Sequence, residues 1–167
     1  IGRDRDVPPA REAPGLGTAR MLLGLVYLQI LLGALVAGMK AGLTYNTWPL
    51  MDGHLVPNGL FVQSPWWINV FENAATVQFD HRLLAYAVTV LALWQVVAVN
   101  VAGDERLARS ARLLAGLVTA QVALGVWTLL AWVPLSLGLA HQALAVVVFA
   151  AAVWHAFAAT YPERLRA

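Results

Sequence analysis

Apolar residues gather in four long stretches with almost no polar interruption, at about 19–39 (ARMLLGLVYLQILLGALVAGM), 83–102, 113–133 and 135–160. Each has about 20 residues or more, the length an α-helix needs to cross ~30 Å of hydrocarbon at ~1.5 Å per residue. A helix on the surface of a water-soluble bundle carries a polar stripe, and none of these stretches has one. The pattern predicts an all-α integral membrane protein, a four-helix bundle over residues 19–161. Between the first and second spans, residues 41–77 are too polar to cross and carry Trp48, Trp66 and Trp67. Such a segment is expected at the membrane interface, where tryptophan collects.

Charge placement orients the bundle. The chain has 167 residues, 60% of them hydrophobic and 12% charged, against roughly half apolar and a quarter charged in a soluble domain. Nine of the eleven basic residues fall in three places: the N-terminal segment (Arg3, Arg5, Arg11, Arg20), the second connection (Arg106, Arg109, Arg112) and the C-terminus (Arg164, Arg166). In a four-span topology those places share one side, and only Lys40 and Arg82 fall on the other. The positive-inside rule then puts both termini in the cytoplasm of a bacterial inner membrane, or in the matrix of a mitochondrion. Residues 1–18, polar and rich in proline, read as a cytoplasmic linker without a signal peptide, and 162–167 as a cytoplasmic tail. The first residue is Ile1, not Met, which suggests processing or a longer parent chain. A net charge of +2 gives no reason to expect nucleic acid. The absence of cysteine excludes disulfides, iron–sulfur clusters, thiolate haem ligation and covalent c-type haem.

A short internal repeat is visible. Gln29-Ile-Leu-Leu-Gly33 in the first span is matched by Gln121-Val-Ala-Leu-Gly125 in the third, and each is followed by a span with a histidine near its outer end. This suggests two similar hairpins in one bundle. Those histidines, His81 and His141, lie in spans of the same direction and so at nearly equal depth. Ionisable groups inside a membrane are functional candidates, because burying them unpaired costs several kcal/mol. Two imidazoles at one depth suit the two faces of a haem iron. Ala85 and Ala145, one turn on from each, leave room for a flat ring. Arg82 and Lys40 are placed for the haem propionates, while Asp80 and Gln78 suit a ligand's free ring nitrogen or a loop backbone. Two other readings stand beside this one: a membrane anchor with a helix–helix hydrogen bond, and a metal other than haem iron. His54 reads as a solvated loop residue. His155, fourteen residues after His141, is where a second stacked haem would need a ligand, but Gln95 holds the matching position after His81. His155 is therefore read as interfacial, near the inner headgroups.

The segments AGLTYNTWPLMDG (41–53), FENAATVQFDHRLLAY (71–86) and LGLAHQALAV (137–146) resemble the C-terminal half of haem A synthase, in its cysteine-free alphaproteobacterial and mitochondrial form. The likeness runs from about Gly33 onward. It implies one half of a pseudo-symmetric eight-helix protein needed for cytochrome oxidase assembly. His81 and His141 match the pair that holds one b-type haem. In the N-terminal half, the corresponding pair lines the site where the C8 methyl of haem O is oxidised to the formyl of haem A. A glutamate three residues before that half's first histidine is implicated in catalysis. The corresponding residue here is Gln78, which can neither ionise nor act as a general base. No catalytic residue is therefore expected in this segment. Its expected partners are lipid, the N-terminal catalytic half (in the same protein or a second chain) with its haem O, and further copies of itself. The alternative is an electron-transfer cytochrome b subunit without substrate chemistry.

Overall fold

The computed structural model describes residues 15–161. The expected tail at 162–167 and most of the expected linker lie outside the described residues, as do Arg3, Arg5, Arg11, Arg164 and Arg166. Four long helices form the bundle: α1 (Leu16–Gly38), α3 (Ala74–Ala102), α4 (Glu105–Leu130) and α5 (Leu135–Thr160), with a one-turn helix α2 (Asn69–Glu72) in the loop before α3. All four long helices are long and apolar enough to span a membrane. Among the described residues the only β-pairing is an isolated bridge between Met51 and His54.

The fourth span has the limits the sequence predicts, and the other three shift. The first begins at Leu16, inside the expected linker. The second begins at Ala74, nine residues before Leu83, so His81 sits two turns inside α3 and does not start it. Asn73 sets that start: its backbone is extended and its side chain accepts from the amides of Ala75 and Thr76, an N-cap satisfying two otherwise free donors. The third begins at Glu105, which places Arg106, Arg109 and Arg112 on the first turns of α4 and not in a loop. The connection is only Gly103 and Asp104. Gly103 ends α3 at φ 77°, a left-handed conformation glycine adopts without strain. Asp104 caps α4 by accepting from the Leu107 amide at 3.0 Å. A Glu105–Arg112 ion pair partly balances the basic residues there.

The helices close into a ring. α1 packs on α3 and α5, and α4 packs on α3 and α5. The two histidine-bearing helices, α3 and α5, therefore stand diagonally across the bundle. The internal repeat reaches deep into the packing: Leu22 and Val26 of α1 share one buried cluster with Leu114 and Val118 of α4, their counterparts in the repeat. Val88 and Ala92 of α3 meet Val148 and Ala152 of α5 in the same cluster. These positions make the fold a pair of related hairpins, α1–α3 and α4–α5, about a shared axis. Outward-facing Leu28, Leu31, Val90, Leu93, Trp94, Val97 and Trp127 are exposed, as lipid-facing positions should be. Because lipid is as apolar as leucine, close packing and interhelical hydrogen bonds hold such a bundle together.

Candidate haem site and its polar supports

At the end of the bundle expected to face outward, the loop between α1 and α3 is tied down by two side chains of α3 and by one of its own. Arg82 donates to the carbonyls of Thr47 and Tyr45, both at 2.9 Å. Gln78, almost fully buried, donates to the Tyr45 carbonyl at 3.0 Å. Asn46 donates back to Leu129 at the end of α4 at 3.1 Å. The role expected of Gln78 toward a loop backbone is thus observed. Lys40, in a left-handed conformation at φ 53°, is exposed just past α1. His54 is exposed in the loop, with Nδ1 2.9 Å from the Asp52 carbonyl, as its reading as a loop residue requires.

His81 and His141 occupy equivalent places. His81 lies seven residues into α3 and His141 six into α5, so their depths match. Each is partly buried. The Gln-x-x-x-Gly repeat meets them. Gln29 of α1 donates its amide to the His81 carbonyl at 3.0 Å and sits 3.1 Å from ring Nδ1. Gln121 of α4 donates to the His141 carbonyl at 2.9 Å and sits 3.4 Å from ring Nε2. One turn along each helix, the glycine makes way for the ring. A Cβ on Gly33 would lie 3.2 Å from His81 Cε1, and one on Gly125 only 2.7 Å from His141 Cε1.

These supports were not assigned from the sequence. The repeat signalled a duplicated hairpin, but neither glutamine was placed against a histidine. What could have found them is register: each repeat lies on the helix that precedes a histidine helix, and the two helices of each such pair pack against one another.

His155 departs from its expected place. It is fully buried, not interfacial. Its Nε2 lies 2.9 Å from Gln95 Nε2 and its Nδ1 2.8 Å from Ser110 Oγ. Gln95 also donates to the Gly15 carbonyl at the start of α1 at 3.1 Å. Four segments meet in this inner network, and a polar side chain inside hydrocarbon is tolerated because such partners satisfy it. With both ring nitrogens engaged, His155 is structural.

The residues at the outer end suit a haem. An axial ligand needs a nitrogen that no neighbour occupies, and His141 Nδ1 is buried without a partner, showing that this ring is not fully satisfied by protein. Two glycines clear space at the rings, as above. Among the described residues no group of three or more His, Asp and Glu side chains is placed to hold a metal ion; a haem iron asks the protein only for axial ligands.

Comparison with known proteins identifies the family. The profile of the COX15-CtaA family, cytochrome oxidase assembly protein, matches residues 4–153. The haem A synthase of Rhizobium meliloti is 52% identical over 161 residues, covering 95% of this chain and 43% of that protein. The haem A synthase of Chelativorans sp. is 50% identical over 165 residues, covering 95% and 46%; that of Agrobacterium fabrum is 50% identical over 157 residues, covering 92% and 43%. The chain therefore spans less than half the length of the curated relatives it matches, as expected of one half. No solved structure matches it. With a family profile over most of its length and relatives at about 50% identity, the chain belongs to the COX15-CtaA family of cytochrome oxidase assembly proteins.

Proposed function

We propose that this chain is the C-terminal, cofactor-holding half of a haem A synthase, with one haem b held between His81 and His141. The observation that carries the reading is the repeated pair: two histidines of equal depth on diagonal helices, each backed by a glutamine and a glycine of its neighbour. A bis-histidine haem b supplies one-electron transfer. Arg82 holds a propionate with donors beyond the two bonded to the loop, since a guanidinium has five N–H groups. Lys40, exposed at the outer end of α1, offers the second cation. Ala85 and Ala145, both half-buried, flank the ring.

The reaction supported is oxidation of the haem O C8 methyl to the formyl of haem A. Its site belongs to an N-terminal half, supplied by the same protein or a second chain. Gln78 favours that division, because a buried amide bonded to the Tyr45 carbonyl supplies no base. The membrane is the bacterial inner membrane, with both termini cytoplasmic. Purified protein given haem during expression should show a sharp low-spin b-type spectrum that His81→Ala and His141→Ala each abolish; colourless wild-type protein would refute the haem.

Gln78 also suits a second reading, an electron-transfer cytochrome b without substrate chemistry. Co-expression with haem O synthase and an N-terminal half separates the two. Formyl haem in the extract supports the first, and its absence the second.

A further inference from the structure

A groove lies between the loop and the side of α3 that faces away from His81. Phe79, Arg82, Leu83 and Tyr86 line it from the helix, and the loop contributes Leu55 and Val56, around a cavity of about 290 Å³. His81 is two residues past Phe79, ~200° around the helix at ~100° per residue, so it stands nearly opposite the groove. The apolar face continues down α3. Leu83, Tyr86, Val90, Leu93 and Val97 are all exposed, at a spacing that makes one track along the helix. Leu55 and Val56 are exposed too, in a loop too polar to cross the membrane. One cation stands at the loop end of this track. Arg82 is half-buried, and among the described residues it has no carboxylate in ion-pair contact. Its bonds to the carbonyls of Thr47 and Tyr45 leave three of the five N–H groups of a guanidinium.

A lone cation at the head of an apolar track matches the join between a phosphate and an acyl chain. We propose that this groove binds an anionic phospholipid of the leaflet at the loop end of the bundle, with its phosphate on the free donors of Arg82 and an acyl chain along Leu83, Tyr86 and Val90. Size favours a lipid over an enclosed soluble ligand. Sites that enclose a drug-sized molecule have roughly 300–1,000 Å³. This groove is at the lower limit and runs out onto the exposed face of α3, so it suits one end of a molecule whose remainder stays in the bilayer. A bidentate phosphate contact takes two of the remaining donors and leaves one for a haem propionate, so the two roles of Arg82 are compatible.

The test is native mass spectrometry of the purified protein after exchange into equal amounts of phosphatidylglycerol and phosphatidylcholine. Wild type should retain phosphatidylglycerol about 5-fold over phosphatidylcholine, the effect of one cation near anionic headgroups. Arg82→Lys keeps the charge and should keep the preference, whereas Arg82→Gln should lose it. Both give up the fork on Thr47 and Tyr45, so a loosened loop alone would treat them alike. Leu83→Trp fills an exposed part of the groove and should lower retention of both lipids. Equal retention of the two lipids by wild type would overturn the proposal. A preference unchanged in Arg82→Gln would assign the guanidinium to the propionate alone, with the same result. Displacement of the lipid by millimolar inorganic phosphate would show a free-anion site and also overturn it. If Arg82→Gln fails to fold, unchanged retention in Leu83→Trp decides against the groove. The haem reading is tested apart from this: His81→Ala, without haem, should keep the wild-type preference, and losing it there would tie the anion to the haem socket and refute a separate lipid site.

Discussion

Adding one methyl group at Gly125 should damage the site far more than adding one at Gly33. At Gly125 the new carbon would stand 2.7 Å from His141 Cε1, 3.3 Å from Nδ1 and 3.4 Å from Nε2. Ordinary carbon contact begins near 3.5 Å, so the ring or the helix must retreat by roughly 0.8 Å. The ring has little freedom, because Gln121 grips its backbone and α4 lies directly on α5. At Gly33 the shortfall is about 0.3 Å, set by His81 Cε1 at 3.2 Å, which small shifts absorb. Overpacking costs typically about 1–3 kcal/mol. If that strain falls on the liganded state, haem affinity drops between about 5- and 150-fold for Gly125→Ala, by the tenfold per ~1.4 kcal/mol rule. Gly33→Ala should stay near the low end. Internal controls exist on the same helices. Gly24 and Gly116 hold equivalent places in α1 and α4, and a Cβ on either meets nothing within 4 Å. Haem titration followed by absorbance, run on all four alanine variants, should rank Gly125 worst, Gly33 next, and Gly24 and Gly116 at wild-type affinity. Equal affinities for Gly125→Ala and Gly116→Ala would refute the idea that glycine is there to admit the ring.

Three further outcomes follow from other parts of the molecule. Gln95→Leu removes the partner of His155 Nε2 and of the Gly15 carbonyl; thermal unfolding in detergent should show a loss of about 1–3 kcal/mol, with haem binding at the other end unchanged. Arg82→Lys keeps the charge but not the fork that reaches both Thr47 and Tyr45, so amides of residues 44–48 should exchange with deuterium faster than in wild type. The chain has no cysteine, so single cysteines report topology cleanly. An impermeant maleimide should label Val62→Cys from outside intact cells and Ala102→Cys only after permeabilisation, and the reverse pattern would overturn the proposed orientation.

The membrane class, the number of spans and the matched depth of His81 and His141 were legible from the sequence because each depends on one-dimensional spacing. The limits of α3 and α4 were not. Both helices begin among polar residues, where hydropathy falls silent and a cap decides: Asn73 for one and Asp104 for the other. The basic cluster at 106–112 looked like a loop because charge was taken as a sign of a connection; it is solvated helix. His155 was misplaced for a related reason. Its depth near the inner end was right, but burial depends on which way a face turns, and Gln95 and Ser110 come from helices 60 and 45 residues away in the chain. Gln29 and Gln121 were noticed as a repeat, yet only the close approach of α1 to α3 and of α4 to α5 shows what the repeat touches.

The inner network carries a consequence of its own. Gln95 and His155 are counterparts in α3 and α5, the same position of the two hairpins, and they meet each other. A strictly duplicated bundle would bring like against like there. Instead an amide nitrogen faces an imidazole nitrogen able to accept, so this contact joins unlike residues of the two hairpins. The near-symmetry of the two hairpins therefore ends at this level: Gln95 also reaches the Gly15 carbonyl and His155 also reaches Ser110, so each member of the pair ties its own hairpin to a different segment.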